Sequence, residues 1–178
     1  TCALPISGSN NTAVGNQALR LNSVGTNNTA MGYQAGYNNT VSSGTYIGYH
    51  AGLSNITGTS LVYVGNNAGL NSLGSSNTIV GSDAHVTSGS GSENTGLGFG
   101  VLNANTGGSY NTAIGGGQTG VRYGAMASNT TGSYNTAVGN QALYSNTTGV
   151  ANVAIGYQAA YSNDVGVNNT AKIGRAHV

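Results

Sequence analysis

Cysteine, proline and phenylalanine each occur once in these 178 residues, tryptophan is missing, and charged side chains make up only 4%. Each scarcity excludes something. A single Cys2 closes no disulfide within the chain, so a cystine-stapled scaffold is out. Four basic residues spread from Arg20 to Arg175 cannot neutralise a phosphate backbone, so no nucleic-acid partner is expected. No run of about 18 apolar residues is present, so this stretch is not expected to insert in a membrane. Ordinary globular chains carry roughly 25% charge. Three acids (Asp83, Glu93, Asp164) and three histidines leave little material for acid–base chemistry.

The two ends differ from everything between them. Thr1-Cys2-Ala3-Leu4-Pro5-Ile6 and Ile173-Gly174-Arg175-Ala176-His177-Val178 hold the lone Cys and the lone Pro. One oligonucleotide read from both strands encodes both hexapeptides, in the manner of a sequencing adapter translated in frame. Residues 1–7 and 172–178 are therefore expected to be adapter-derived scars on an internal fragment, and are set aside from fold reasoning. Residues 8–171 are expected to be one repeat domain.

What is abundant is glycine, 31 residues of it, and it falls in step. The pattern Asn-Thr-Ala-Φ-Gly-x-x-Ala, with Φ apolar, places its glycine at Gly15, Gly32, Gly48, Gly65, Gly81, Gly98, Gly115, Gly139 and Gly156. Successive gaps are 17, 16, 17, 16, 17, 17, 24 and 17 residues, and a tenth copy begins at Asn169-Thr170-Ala171. The residue before the glycine is always apolar and mostly β-branched: Val14, Met31, Ile47, Val64, Val80, Leu97, Ile114, Val138, Ile155. Three before it stand Thr12, Thr29, Thr45, Val62, Thr78, Thr95, Thr112, Thr136 and Val153. Alternation with strand-favouring residues predicts a short strand there. The glycine and the polar pair after it predict a turn, and the following Ala-Leu or Ala-Gly a second short strand. The Asn/Ser/Gly links read as turn material.

A unit this short cannot bury enough apolar surface to offset its ordering entropy alone. The copies must stack, each supplying ladder hydrogen bonds and an apolar floor for the next. The expected fold is all-β: a β-solenoid, or parallel β-roll, of about nine to ten coils, about 45 Å long at the usual strand spacing. Ala13 and Val14 point to opposite faces, as do Ala137 and Val138, and Tyr46, Tyr63 and Ile79 replace that Ala in other copies. Both faces are then apolar. One lines the roll, and a neighbouring subunit is the economical cover for the other.

The Thr/Ser-x-Ala-Φ-Gly-x-x-Ala core resembles the YadA-like head repeats of trimeric autotransporter adhesins. The fuller Asn-Thr-Ala-Φ-Gly-Tyr-Gln-Ala-Leu with Asn-Thr-Thr-Gly links is similar to repeats of tail-fibre-type bacterial and phage proteins. The likeness runs from Asn11 to Ala171, although the coil here is longer than in the autotransporter heads. It implies a left-handed roll, homotrimeric assembly, an extracellular place on a cell surface or virion fibre, and a structural or adhesive task whose partner is a host-surface glycan or protein.

Candidate chemistry is sparse. His50 and Asp83 each fall two residues after a repeat glycine, a position otherwise held by Gln17, Gln34, Asn67, Gly100, Gly117, Gln141 and Gln158, and so read as variants of a turn residue. His85 lies two residues from Asp83, but a metal site needs further ligands. Asp83 and Glu93 are the acids of consecutive coils, and no nucleophile elbow or phosphate loop is present. No catalytic residue, cofactor or metal is expected, and the chain reads as a non-enzyme. The long coil carries seven extra residues, expected as an insertion loop over 116–124. Arg122 and Tyr123 are its candidate contact residues, against a plain surface bulge. Tyr33, Tyr49 and Tyr157, with Phe99, recur after the glycine, and Tyr37, Tyr144 and Tyr161 five residues after it. Such ladders suit glycans or shield the roll. The column Thr12, Thr29, Thr45, Thr78, Thr95, Thr112 and Thr136 is a regular hydroxyl array, the candidate ladder for a glycan or ice. Sequons, for example at Asn27, Asn55, Asn129 and Asn146, follow from an Asn/Thr-rich composition.

Overall fold

Extended backbone suits the Thr-Ala-Φ triplets, and the glycine after each ends the extension. A computed structural model describes residues 8–87, 89–117 and 124–172. Its strands are β1 (Thr12–Val14), β2 (Thr29–Met31), β3 (Gly44–Ile47), β4 (Leu61–Val64), β5 (Thr78–Val80), β6 (Thr95–Leu97), β7 (Thr112–Ile114), β8 (Thr136–Val138), β9 (Val153–Ile155) and β10 (Thr170–Ala171). They form one ten-stranded sheet in sequence order, every neighbouring pair parallel. No helix occurs among the described residues. The chain is an all-β solenoid of about nine turns, each coil numbered here by its strand.

Register stacks like on like. Thr12 pairs with Thr29, Thr29 with Thr45, Val62 with Thr78, and Thr112 with Thr136, so each sequence column becomes a physical one. The repeat glycines lie over one another at φ values between 124° and 149°. A Cβ on Gly15 would sit 2.4 Å from the carbonyl oxygen of Gly32, and one on Gly48 2.3 Å from that of Gly65. Backbone meets backbone there, and only glycine tolerates both the dihedral and the approach.

The second short strand expected at the Ala-Leu or Ala-Gly step does not form. Gln17 and Leu19 take φ values of 60° and 50°, as do Gln141 and Leu143, which breaks the pleat. The segment folds as successive turns instead, Ala18 donating to the carbonyl of Gly15 at 3.3 Å and Asn22 to that of Leu19 at 3.0 Å. The coil-to-coil ladder nevertheless continues through these turns. Leu19 N–H donates to Ala35 O at 3.0 Å, and Leu21 N–H to Tyr37 O at 2.9 Å.

Two asparagine spines run inside the rod. In the first, Oδ1 of Asn77 accepts the Asn94 N–H at 2.8 Å, and Oδ1 of Asn94 accepts that of Asn111 at 3.0 Å. Their amides donate to link carbonyls, Asn77 to Gly91 and Asn94 to Gly108, both at 2.9 Å. The second spine joins Asn105, Asn129 and Asn146, amide to carbonyl, at 2.8 Å per step. Both sets are buried, so the link asparagines, Asn55 included, are not surface turn material, and the spines satisfy backbone groups that a narrow rod would otherwise orphan. The sequon residues Asn55, Asn129 and Asn146 are among them.

The apolar core is filled by complementary columns. The middle strand residue points inward, as in Ala30, Tyr46, Tyr63, Ile79, Ala113, Ala137 and Ala154, all fully buried. Facing it, four residues past the glycine, stand Leu19, Leu102 and Leu143, with Met126 taking that place after the insertion, or Gly36, Gly52 and Gly69 beside the tyrosines. At the long coil, the chain returns to the stack where the repeat alignment places it. Ala125 N–H donates to Gly115 O at 2.8 Å, and Met126 N–H to Ala142 O at 3.0 Å.

Candidate functional site: the outer face of the sheet

Period-two alternation sends the residues either side of the inner column outward. The apolar column before each glycine therefore faces solvent: Val14 is 53% exposed, Met31 48%, Leu97 49% and Ile155 46%. Val64, Val80, Ile114 and Val138 are half-buried in the same row. In-register pairing makes the row continuous from Val14 to Ile155. Two residues back on the same face runs the threonine column. Thr12, Thr78 and Thr95 are exposed, and Thr29, Thr45, Thr112 and Thr136 half-buried. Val62 and Val153 occupy two of its steps, and Thr170 extends it to β10. The sheet thus presents parallel ranks of methyls and of hydroxyls, repeating at about 4.8 Å along the rod.

The other candidates scatter. His50 is half-buried with its ring centroid 3.8 Å from that of Tyr49, and desolvation holds its pKa below the ordinary value. Asp83 lies at the turn, where its carboxylate accepts the Asn67 amide at 2.9 Å. His85 is fully buried in the core. Asp83 and His85 thus part, one outward and one inward. Among the described residues no group of three or more His, Cys, Asp or Glu side chains comes together. Arg122 and Tyr123 lie outside the described residues. Among those described, no helix is long and apolar enough to cross a membrane.

The tyrosines divide into two sets. Tyr33 and Tyr49 stack with centroids 5.4 Å apart, and Tyr144 and Tyr161 at 5.1 Å. Tyr37 accepts a hydrogen bond from Arg20 Nη1 at 3.1 Å. A third surface pair, Tyr110 on Tyr134 at 4.8 Å and 2° between planes, was invisible as a column, since its other members include Ser43, Ser76, Glu93 and Ala151. Stacking sets ring faces against one another, and Tyr33, Tyr110 and Tyr134 remain exposed. Glu93 beside Tyr110 raises the pKa of that phenol. Tyr46 and Tyr63 form the inner set. Tyr46 Oη donates to Asn39 Oδ1 and accepts from Asn55 Nδ2, both at 2.9 Å, and Tyr63 Oη bonds Ser72 Oγ at 2.8 Å. Burial pushes the Tyr63 phenol up to about 12 and that of Tyr46 further in the same direction, so both stay protonated core members.

No family model, curated protein or solved structure matches the chain. The class defined by the fold is a parallel β-solenoid with one two-rank outer face.

Proposed function

We propose that the chain is a length of non-catalytic surface fibre: the left-handed, homotrimeric β-roll shaft or head of an adhesin or tail fibre. It acts outside the cell or on a virion, holding an adhesive element away from the surface that bears it. The observation that carries this reading is the unbroken outward-facing apolar row from Val14 to Ile155, in which exposed and half-buried side chains mix. A continuous apolar stripe along a rod is costly in water and is the kind of surface that protein partners cover. Identical stripes on identical chains meet in register when the rods lie side by side, and every coil adds a small equal contribution. Rigidity then follows from the ladders, and many weak contacts along three chains sum by avidity. Low charge suits such a rod, since it removes repulsion between chains set close together.

The threonine rank on the same face supports a second reading, a solenoid binding glycan or ice through its regular hydroxyls. Light scattering separates the two. The first expects the mass of three chains, falling to one chain in the triple variant Val80→Lys, Leu97→Lys, Ile114→Lys, with the β circular-dichroism signal retained. A wild-type chain that stays single at its highest soluble concentration overturns the fibre reading. Single chains showing thermal hysteresis, or retention on a glycan array, establish the second.

A further inference from the structure

The column four residues past the repeat glycine holds Leu19, Leu102 and Leu143 where it carries a large side chain, joined by Met126 after the long coil's insertion, and His85 in coil 5. His85 is 0% exposed. Its Nε2 lies 3.5 Å from the Asn105 amide nitrogen, whose group also donates to Gly108 O at 2.9 Å. An amide NH2 donates, so Nε2 accepts, and the neutral ring carries its proton on Nδ1. Nδ1 has no hydrogen-bond partner. A second proton on Nε2 would point at the Asn105 amide donor, leaving a buried cation whose burial outweighs the little that the Asn105 backbone gives back.

No charged side chain nearby offsets it. The titratable groups on coils 4 to 6 are Tyr63 in the core, Asp83 at the outer turn engaged by Asn67, and exposed Glu93. No Lys or Arg lies between residues 57 and 105. Burial accordingly pushes the imidazole down to about 4. The chain has only three carboxylates, so the usual carboxylate route to acid denaturation is nearly closed.

We propose that His85 is an acid-operated seam in the rod: protonating its ring parts coil 5 from coil 6 and divides the stack in two. The sign follows from linkage. An opened coil takes up a proton below the ordinary histidine value of about 6.5, whereas the closed core refuses it until about 4. Stability is therefore intact at neutral pH and is lost as pH falls between those values. In a stack whose coils touch only their neighbours, the opening stays local.

The test is urea unfolding and amide exchange at neutral pH, near pH 5 and near pH 4. The folding equilibrium constant of the wild-type chain should fall about 30-fold near pH 5 and more than about 100-fold near pH 4. Exchange should accelerate first in peptides spanning 79–105. His85→Leu should remove this acid loss, and His85→Gln does the same if Leu packs badly. His50→Asn should keep it. Equal acid losses in wild type and both His85 variants, or exchange rising first elsewhere, overturn the seam. The inference needs only the coil stack, so it stands or falls independently of chain mass at neutral pH.

Discussion

Coils 3 and 4 solve the core differently from coils 1 and 8. In the former, Tyr46 and Tyr63 project from the strand and glycines face them. In the latter, buried Ala137 leaves room for Leu143 across the rod, and coil 1 repeats the pair as Leu19 with Ala13, which is exposed at the end of the stack. The exchange is steric. A Cβ on Gly52 would lie 2.3 Å from Tyr46 Cδ1, and one on Gly69 2.5 Å from Tyr63 Cδ2. Between these coils the Tyr–Gly and Ala–Leu pairs fill similar volume with different residues, as expected of an interior packed to crystal-like density. The two solutions carry different strain. Leu19 and Leu143 sit at φ 50°, a conformation costing an L-residue about 1–2 kcal/mol, while Gly52 and Gly69 adopt nearly the same angles without that cost. The tyrosine coils, in exchange, must satisfy a buried phenol each.

Breaking the tyrosine solution should have the largest effect. Tyr46→Ala opens a cavity beside Gly36, Gly44 and Gly52 and strips a partner from both Asn39 and Asn55. A loss of about 3–5 kcal/mol is expected by denaturant unfolding. Transplanting that solution sharpens the comparison with a smaller effect. Ala137→Tyr alone should destabilise strongly by overpacking against Leu143, and adding Leu143→Gly should recover part of the loss. A double-mutant coupling of about 1–3 kcal/mol is expected. Simple additivity would mean that the two columns do not share volume.

The period, the strand triplet and the glycine column were legible because each imposes a residue type at every turn. Which strand face looks inward was not legible, since Ala13 and Val14 are both apolar. Only the chain path decides that the middle residue, Ala137 and Tyr46 alike, lines the core of a narrow rod. The second strand was misread because Ala-Leu fits a strand. The signal for its actual conformation is positive φ, ordinarily announced by glycine or asparagine. Here Leu19, His85, Met126 and Leu143 adopt it, held by bonds to the next coil. The spine asparagines were misread for the opposite reason. Asn105 and Asn129 carry a residue type that also favours turns, and burial is what distinguishes an amide ladder from a loop. The site was half visible: the threonine rank and the apolar rank two residues on share a face by alternation, whereas that this face is the outer one required the sheet.

Unbroken outer ranks exist only if every coil sits directly on the last. Pulsed dipolar distances between spin labels on the threonine rank measure this directly, in chains with Cys2 replaced by Ser and diluted with unlabelled protein. Thr12→Cys with Thr78→Cys spans four coil steps and Thr12→Cys with Thr136→Cys seven. The expected distances are about 19 Å and about 34 Å at about 4.8 Å per step. Distances that fail to grow in proportion to coil number would contradict the stacked rod and, with it, the continuous face on which the fibre reading rests.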